Sequence, residues 1–384
     1  MNDLRIALFT GNYNHIRDGV SLTLNRLVKF LEDHDVPVLI FGPSIKKPPI
    51  EHNGELVVTP SIPMLVPGRS EYRIATNFPK WAQKKLKEFN PTLIHIATPD
   101  GLGGGALKWG AKNKIPVVSS YHTHFLSYAK YYSFFLIPIH NWAKRRMQKF
   151  YAKVEQVYVP SQSMIEELEK EGVFGDMRIW ARGIDLELFN PSKRDISWRR
   201  SIGFEDDEIV VSFVSRLVWE KELGTFIKTV KNLKKINPKV RALVVGDGPA
   251  QTEAQKLLPQ AYFTGFAQGE DLSRAYASSD IFLFPSHTET FGNVTLEAMA
   301  SGLPCIVADA IGSKSLVSNG ENGYWAEKEN ESDFTQKLKL MIDNPARTKE
   351  MGVKSRELAL EYKWDVINQG LLKNYVEAVS NYKK

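Results

Sequence analysis

Short apolar runs closed by turn residues alternate with longer stretches of helical period along almost the whole chain. In the first half, residues 4–9, 36–41, 92–97, 116–121, 156–160 and 177–180 have the length and composition of buried strands. In the second half the same holds for 208–214, 241–248, 262–266, 282–285 and 305–308. Between them the period changes. Residues 22–34 place Leu24, Leu27, Val28 and Leu31 on one helical face, and 293–300 does the same with Val294, Leu296, Ala298 and Met299 before Gly302 and Pro304 stop it. Residues 332–344, 346–362 and 364–382 also read as helices, while 46–67 is Pro-rich and reads as irregular. Strand and helix in alternation predict parallel sheets covered on both faces, with ligands held outside the carboxyl ends of the strands. The pattern predicts two doubly wound α/β halves, 1–190 and 191–363, hinged in the polar stretch 191–200, with 364–384 as a terminal helix.

Composition narrows the partners more than the fold. With 384 residues the chain can bury two large cores, and 24% charged residues is ordinary for a globular protein. Its single cysteine, Cys305, sits in an apolar run, so no internal disulfide is expected and a reducing compartment is. Residues 4–9 are too few for a leader's apolar stretch and no run reaches membrane-spanning length, so the expected location is cytoplasmic. A net charge of +6 favours anionic partners. Nucleic acid is not expected among them, because the charges are scattered and no nucleic-acid module is present.

Chemistry-bearing residues gather at the predicted strand ends. After strand 282–285 comes a polar loop holding Glu289, and Glu297 lies eight positions on, inside the following helix. Two carboxylates there can accept hydrogen bonds from vicinal hydroxyls of a sugar or ribose. An isolated pair of this kind is more often a solvated loop glutamate and an ion-paired one. After strand 208–214, Arg216 and Lys221 stand five apart, a forked and a point cation able to grip a diphosphate, although exposed cations are usually only solvated. Strand 241–248 ends in Gly246-Asp247-Gly248, a tight turn that lets backbone approach a nucleotide. The loop 10–21 feeds a helix start at Gly19-Val20-Ser21, which is either an anion site or an ordinary turn. Strand 116–121 delivers His122 and His124. No further His or Cys cluster completes a metal site, so none is expected.

The whole stretch 282–309, FLFPSHTETFGNVTLEAMASGLPCIVAD, resembles the E-x7-E block of retaining glycosyltransferases of family 4. The likeness extends over nearly the whole chain, through YHTHF, RIWARGIDLELFNP and the R-x4-K of Arg216 and Lys221, and fits the lipid-glycosylating mannosyl- and sulfoquinovosyl-transferase branches best. It implies the GT-B fold: two Rossmann-like domains facing a central cleft, with the last helix crossing back to the N-terminal domain. It implies a nucleotide diphosphate sugar as co-substrate, GDP-mannose before a UDP-hexose, held by the C-terminal half, and an acceptor held by the N-terminal half. No other cofactor is implied. Arg216 and Lys221 then neutralise the departing diphosphate, Glu289 holds the donor-sugar hydroxyls, Glu297 the ribose, and His122 faces the donor sugar. Gly19 and Val20 bring backbone amides near the phosphates, and Phe291, Gly292, Asn293 and Val294 line the donor. The chain departs from the family pattern in three places: Asp18 precedes Gly19 where many members have a second glycine, Glu222 follows Lys221 where many have glycine, and 310–313 lacks a paired glycine. Glu222 implies a loop of different shape. The same fold without turnover, as a carbohydrate- or nucleotide-binding protein, is the competing reading.

Residues 125–150, FLSYAKYYSFFLIPIHNWAKRRMQKF, combine dense aromatics with Lys144, Arg145, Arg146 and Lys149. Either the segment lies on an anionic membrane surface, where a lipid acceptor would be found, or its aromatics fill the domain core under a solvated basic face. With the second of these goes a soluble or polysaccharide-linked glycan as acceptor.

Overall fold

The computed structural model describes residues 3–64, 72–122 and 137–382, together with most of their side chains. They divide into two compact units, Met1–Ala181 with Asp365–Lys384, and Arg182–Trp364.

The first unit is built on strands β1 (Ile6–Phe9), β2 (Val38–Gly42), β3 (Glu55–Val58), β4 (Ser61–Pro63), β5 (Arg73–Ala75), β6 (Leu93–Ile96), β7 (Val117–Ser120), β8 (Gln156–Val159) and β9 (Met177–Ile179). Seven of them form a sheet in the order β3-β2-β1-β6-β7-β8-β9, and each neighbouring pair is parallel. β4 and β5 make a separate antiparallel pair. The central strands are wholly buried, as strands covered on both faces are, and only His95, Ser119 and Ser120 among their residues are polar. Helix Gly19–Asp33 turns Leu24, Leu27, Val28 and Leu31 into the core, where they join Val118, Tyr158 and the sequence-distant Leu371, Leu372, Tyr375 and Ala378 of helix Trp364–Tyr382. The helix begins three residues earlier than its apolar pattern suggests, because Asp18 caps it by accepting from the Ser21 N–H at 2.8 Å.

Two elements, β3 and the shorter β4 paired with β5, fall where the sequence reading places none. Residues 46–67 were expected to be irregular, yet Glu55–Val58 pairs with β2 from Leu39↔Glu55 to Gly42↔Val58. As the edge of the sheet it needs only one ladder, and its partly exposed ELVV lacks the continuous apolar run that marks an interior strand.

The second unit carries β10 (Ile209–Val214), β11 (Val240–Val245), β12 (Tyr262–Gly265), β13 (Ile281–Phe284), β14 (Cys305–Ala308) and β15 (Gly323–Ala326) in the order β12-β11-β10-β13-β14-β15, again all parallel. β15 is a second edge strand that its sequence, GYWA, does not announce. Together these are the two Rossmann-like parallel sheets of a GT-B protein. Among the described residues no helix is long and apolar enough to cross a membrane.

Candidate active site

In the second sheet the chain reverses its direction of growth between β10 and β13, and the loops leaving those strands lie where open parallel sheets hold their ligands. Both loops carry predicted residues. Lys221 ends the short 3-10 turn Trp219–Lys221 after β10, and Glu289 lies in the loop after β13. The structure brings them together: Lys221 Nζ donates to Glu289 Oε1 at 2.6 Å and to Thr288 Oγ1 at 3.3 Å. Ser286 Oγ also donates to Glu289 Oε1, at 3.3 Å. Each partner keeps about a fifth of its side-chain surface open (18% and 20%), so the pair remains within reach of a ligand.

The Gly246–Gly248 turn supports this edge from below. Gly246 adopts a φ of +124°, and a Cβ built there would stand 2.0 Å from the carbonyl oxygen of Ser215. At Gly248 the clash would be with the Leu217 carbonyl, at 2.4 Å. The turn also accepts Leu217 N–H on the Asp247 carbonyl at 2.7 Å. Both glycines therefore set the path of 215–218, from which Arg216 projects, exposed and without a side-chain hydrogen bond or ion pair among the described residues. A third close approach fixes the Glu289 loop. Gly312, in the short helix Ile311–Lys314, would push a Cβ to 2.3 Å from the Glu289 carbonyl oxygen. Ser313 Oγ donates to the Ser286 carbonyl at 3.2 Å. The stretch 310–313 thus holds the carboxylate loop by backbone contact, with one glycine.

Glu297 takes a different environment. Tyr276, fully buried, donates its hydroxyl to Glu297 Oε2 at 2.9 Å and lies 3.1 Å from the Val294 carbonyl. Burial beside that carboxylate holds the phenol in its protonated form. Helix Asn293–Ala300 opens on Gly292 in a left-handed conformation, with no side chain capping its first amides. Asn293 is exposed there and Phe291 is buried, its ring 6.0 Å from that of Tyr362. The contrast with the first unit is chemical. Helix Gly19–Asp33 spends the Ser21 amide on Asp18, so Gly19 and Val20 begin a helix whose N-terminus already holds a carboxylate.

Glu222 answers the question its sequence position raised. It adopts a φ of +57°, the left-handed shape that favours glycine, so the loop keeps a glycine-like turn with a glutamate in it. Thr225 Oγ1 donates to its carboxylate at 2.9 Å. Glu222 also belongs to a group that no motif in the chain brings together. His287 has Nδ1 3.9 Å from Glu222 and Nε2 3.7 Å from Glu329, and ligand atoms of the three lie within 4.8 Å of one another. The imidazole faces a carboxylate with each nitrogen. At the end of β12, Phe266 is 66% exposed, open to stacking.

His122 belongs to the first unit, two residues beyond β7. It is buried, its Nε2 is 2.7 Å from Ser120 Oγ, and its ring meets Trp180 edge-on at 5.5 Å. His124 and residues 125–136 of the aromatic-basic segment lie outside the described residues. The part within them, helix Ile137–Tyr151, exposes Arg145, Arg146, Lys149 and Trp142 and pairs Lys144 with Glu171 at 2.5 Å.

A family model described as glycosyl transferases group 1 matches residues 195–358, and one described as Glycosyltransferase Family 4 matches 17–188. A GDP-mannose-dependent alpha-mannosyltransferase of Corynebacterium glutamicum is 28% identical over 98% of this chain and 90% of its own length. An alpha-monoglucosyldiacylglycerol synthase of Acholeplasma laidlawii is 26% identical over 85% of this chain and 86% of its own. Among solved structures, a sucrose-phosphate synthase of Thermosynechococcus elongatus superposes with a TM-score of 0.78 at 20% identity, covering 98% of this chain and 100% of that one. The chain belongs to glycosyltransferase family 4, and it is a hexosyltransferase.

Proposed function

We propose that the protein moves a hexose from a nucleotide diphosphate sugar to an acceptor hydroxyl of a membrane lipid, with retention of anomeric configuration, and that GDP-mannose is the preferred donor. The observation that carries this reading is the meeting of Lys221 and Glu289 at the switch point of the second sheet, with Arg216 exposed on the same edge. Breaking the anomeric bond leaves charge on the diphosphate. Arg216, Lys221 and the first amides of helix Asn293–Ala300, with Gly292, Asn293 and Val294 at its mouth, are suited to receive it. As Lys221 turns to the phosphates, Glu289 becomes available to accept from sugar hydroxyls and hold the ring while the anomeric centre gains oxocarbenium character. Glu297, oriented by Tyr276, takes the ribose. Gly246 and Gly248 admit the nucleotide, Phe291 lies beneath it, and His122 addresses the donor sugar, with Gly19 and Val20 near its phosphates.

The name of the Corynebacterium relative, a GDP-mannose-dependent alpha-mannosyltransferase, favours GDP-mannose over a UDP-hexose. The Acholeplasma relative's name supports a lipid acceptor, and the exposed Trp142, Arg145, Arg146 and Lys149 suit an anionic cytoplasmic membrane face. Incubation with radiolabelled GDP-mannose or UDP-glucose and a membrane lipid extract tests the reading. Label in the lipid phase with GDP-mannose is the expected result. Label found only in water-soluble glycan would move the acceptor out of the membrane. No transfer from any sugar nucleotide would remove the reaction. Flotation with anionic liposomes, comparing wild type with Arg145→Glu/Arg146→Glu, tests the membrane contact separately.

A further inference from the structure

The first unit contains a buried chain of hydrogen bonds that ends on His122. Tyr375 Oη lies 2.6 Å from His95 Nδ1, His95 Nε2 lies 2.8 Å from Ser120 Oγ, and Ser120 Oγ lies 2.7 Å from His122 Nε2. Tyr375 and His95 are completely inaccessible, and Ser120 is 1% exposed. Aromatic rings enclose the chain: His95 meets Tyr158, Trp180 and Tyr375 edge-on between 5.7 and 5.9 Å.

The direction of the protons follows from counting donors. Burial keeps the Tyr375 phenol protonated and pushes His95 down to about 3, so the ring of His95 is neutral and carries one N–H. The Tyr375 hydroxyl meets no hydrogen-bond acceptor among the described residues except His95 Nδ1. A buried O–H that donates to nothing is costly, so Tyr375 donates and His95 Nδ1 accepts. The single proton of His95 is then on Nε2 and is donated to Ser120 Oγ. Ser120 has one hydroxyl proton and gives it to His122 Nε2. In its neutral form His122 therefore carries its proton on Nδ1.

We propose that Tyr375, His95 and Ser120 are positioning residues that fix His122 as the Nδ1–H tautomer, so that it offers a hydrogen-bond donor to the donor sugar's hydroxyl or ring oxygens. The role assigned to His122 rests on the transferase reading above; the tautomer does not. A helix from the far end of the chain, 280 residues from His95, thereby sets the chemistry of a residue at the carboxyl edge of the first sheet. A purely structural Tyr375 would need only its ring in the core and would leave the tautomer alone.

The test is long-range proton–nitrogen correlation NMR on the full chain with nitrogen-15-labelled histidine, His122 and His95 being assigned by loss of their signals in His122→Gln and His95→Gln. The expected result is His122 with Nδ1 protonated and His95 with Nε2 protonated. In Tyr375→Phe, which keeps the ring, the His122 signals should move toward a mixture of tautomers, and kcat should fall about tenfold with little change in KM. Ser120→Ala should give the same His122 signature by cutting the last link. Wild-type His122 protonated on Nε2 overturns the proposal without any variant. An unchanged tautomer in a folded Tyr375→Phe overturns the role of Tyr375. Absence of sugar transfer by the wild type would count against the function while leaving the tautomer result intact.

Discussion

Lys221 and Glu289 close an ion pair of 2.6 Å across the point where the strand order of the second sheet reverses. A diphosphate arriving there competes with Glu289 for the ammonium, and a sugar arriving there competes with Lys221 for the carboxylate. The unliganded pair thus keeps two charges mutually satisfied until the donor separates them. Lys221→Met should lower kcat/KM by about 10²–10³-fold, the range for loss of one donor to developing charge. It should cost only about 1 kcal/mol of stability, because both groups are partly solvated. Steady-state kinetics with the sugar nucleotide and a denaturation curve read the two effects. A loss below about tenfold would place Lys221 outside the diphosphate grip.

Arg216 and Gly246 separate activity from stability in the opposite sense. Arg216 is exposed, so Arg216→Ala should leave the melting temperature within about a degree or two while removing most turnover. Gly246→Ala adds a methyl 2.0 Å from the Ser215 carbonyl at a φ of +124°, and the backbone under Arg216 must move. That should cost about 2–4 kcal/mol as well as activity, measured by chemical denaturation. A Gly246→Ala protein of wild-type stability would show that the turn adjusts freely.

How much of this was legible in the chain depended on whether each signal was local. Interior strands such as IALF and IFLF are continuous apolar runs between turn residues, and their places in the sheets follow from that. β3 and β15 were not legible, because an edge strand with one ladder does not need a fully apolar sequence. Glu289 and Lys221 were legible as separate candidates through motifs, but their contact was not: it exists only because β10 and β13 are neighbours in the sheet while two other strands lie between them in sequence. The same limit hides Glu222, His287 and Glu329, which come from three separate loops, and the link from Tyr375 to His122.

Glu222 tests whether backbone strain or side-chain bonding dominates next to the site. Its left-handed backbone costs about 1 kcal/mol in a residue with a Cβ, while its carboxylate accepts from Thr225 at 2.9 Å near the surface. Strain and one partly solvated hydrogen bond are similar in size. Glu222→Gly should therefore be neutral or stabilising by up to about 1 kcal/mol. Glu222→Val, β-branched in the same conformation, should be destabilising by about 2 kcal/mol. Should the glycine variant instead be less stable than wild type by more than about 1 kcal/mol, the carboxylate's contacts with Thr225 and His287 outweigh the strain.

Asp100 gives the first unit a pH-dependent stability of predictable sign. It caps helix Gly101–Asn113, its Oδ1 accepting from the Gly103 N–H at 2.9 Å, and burial raises its carboxyl to about 6 against the cap's opposing backbone hydrogen bonds. Between about pH 4 and 6 the folded chain therefore holds this proton while the unfolded chain has lost it. Stability falls as pH rises wherever the native state binds more protons, so Asp100 weakens the fold progressively across that window. His95, held down to about 3, acts with the opposite sign over an overlapping range, because the unfolded chain takes up its proton first as pH falls. The wild-type curve alone mixes the two. Asp100→Asn keeps a capping side chain and removes the titration. Its stability relative to wild type should improve by about 2 kcal/mol from pH 4 to pH 6, after allowance for the carboxyl's partial exposure. Urea denaturation at half-unit steps measures that difference, and a flat line would mean that Asp100 ionises at the same pH in the folded and unfolded chain.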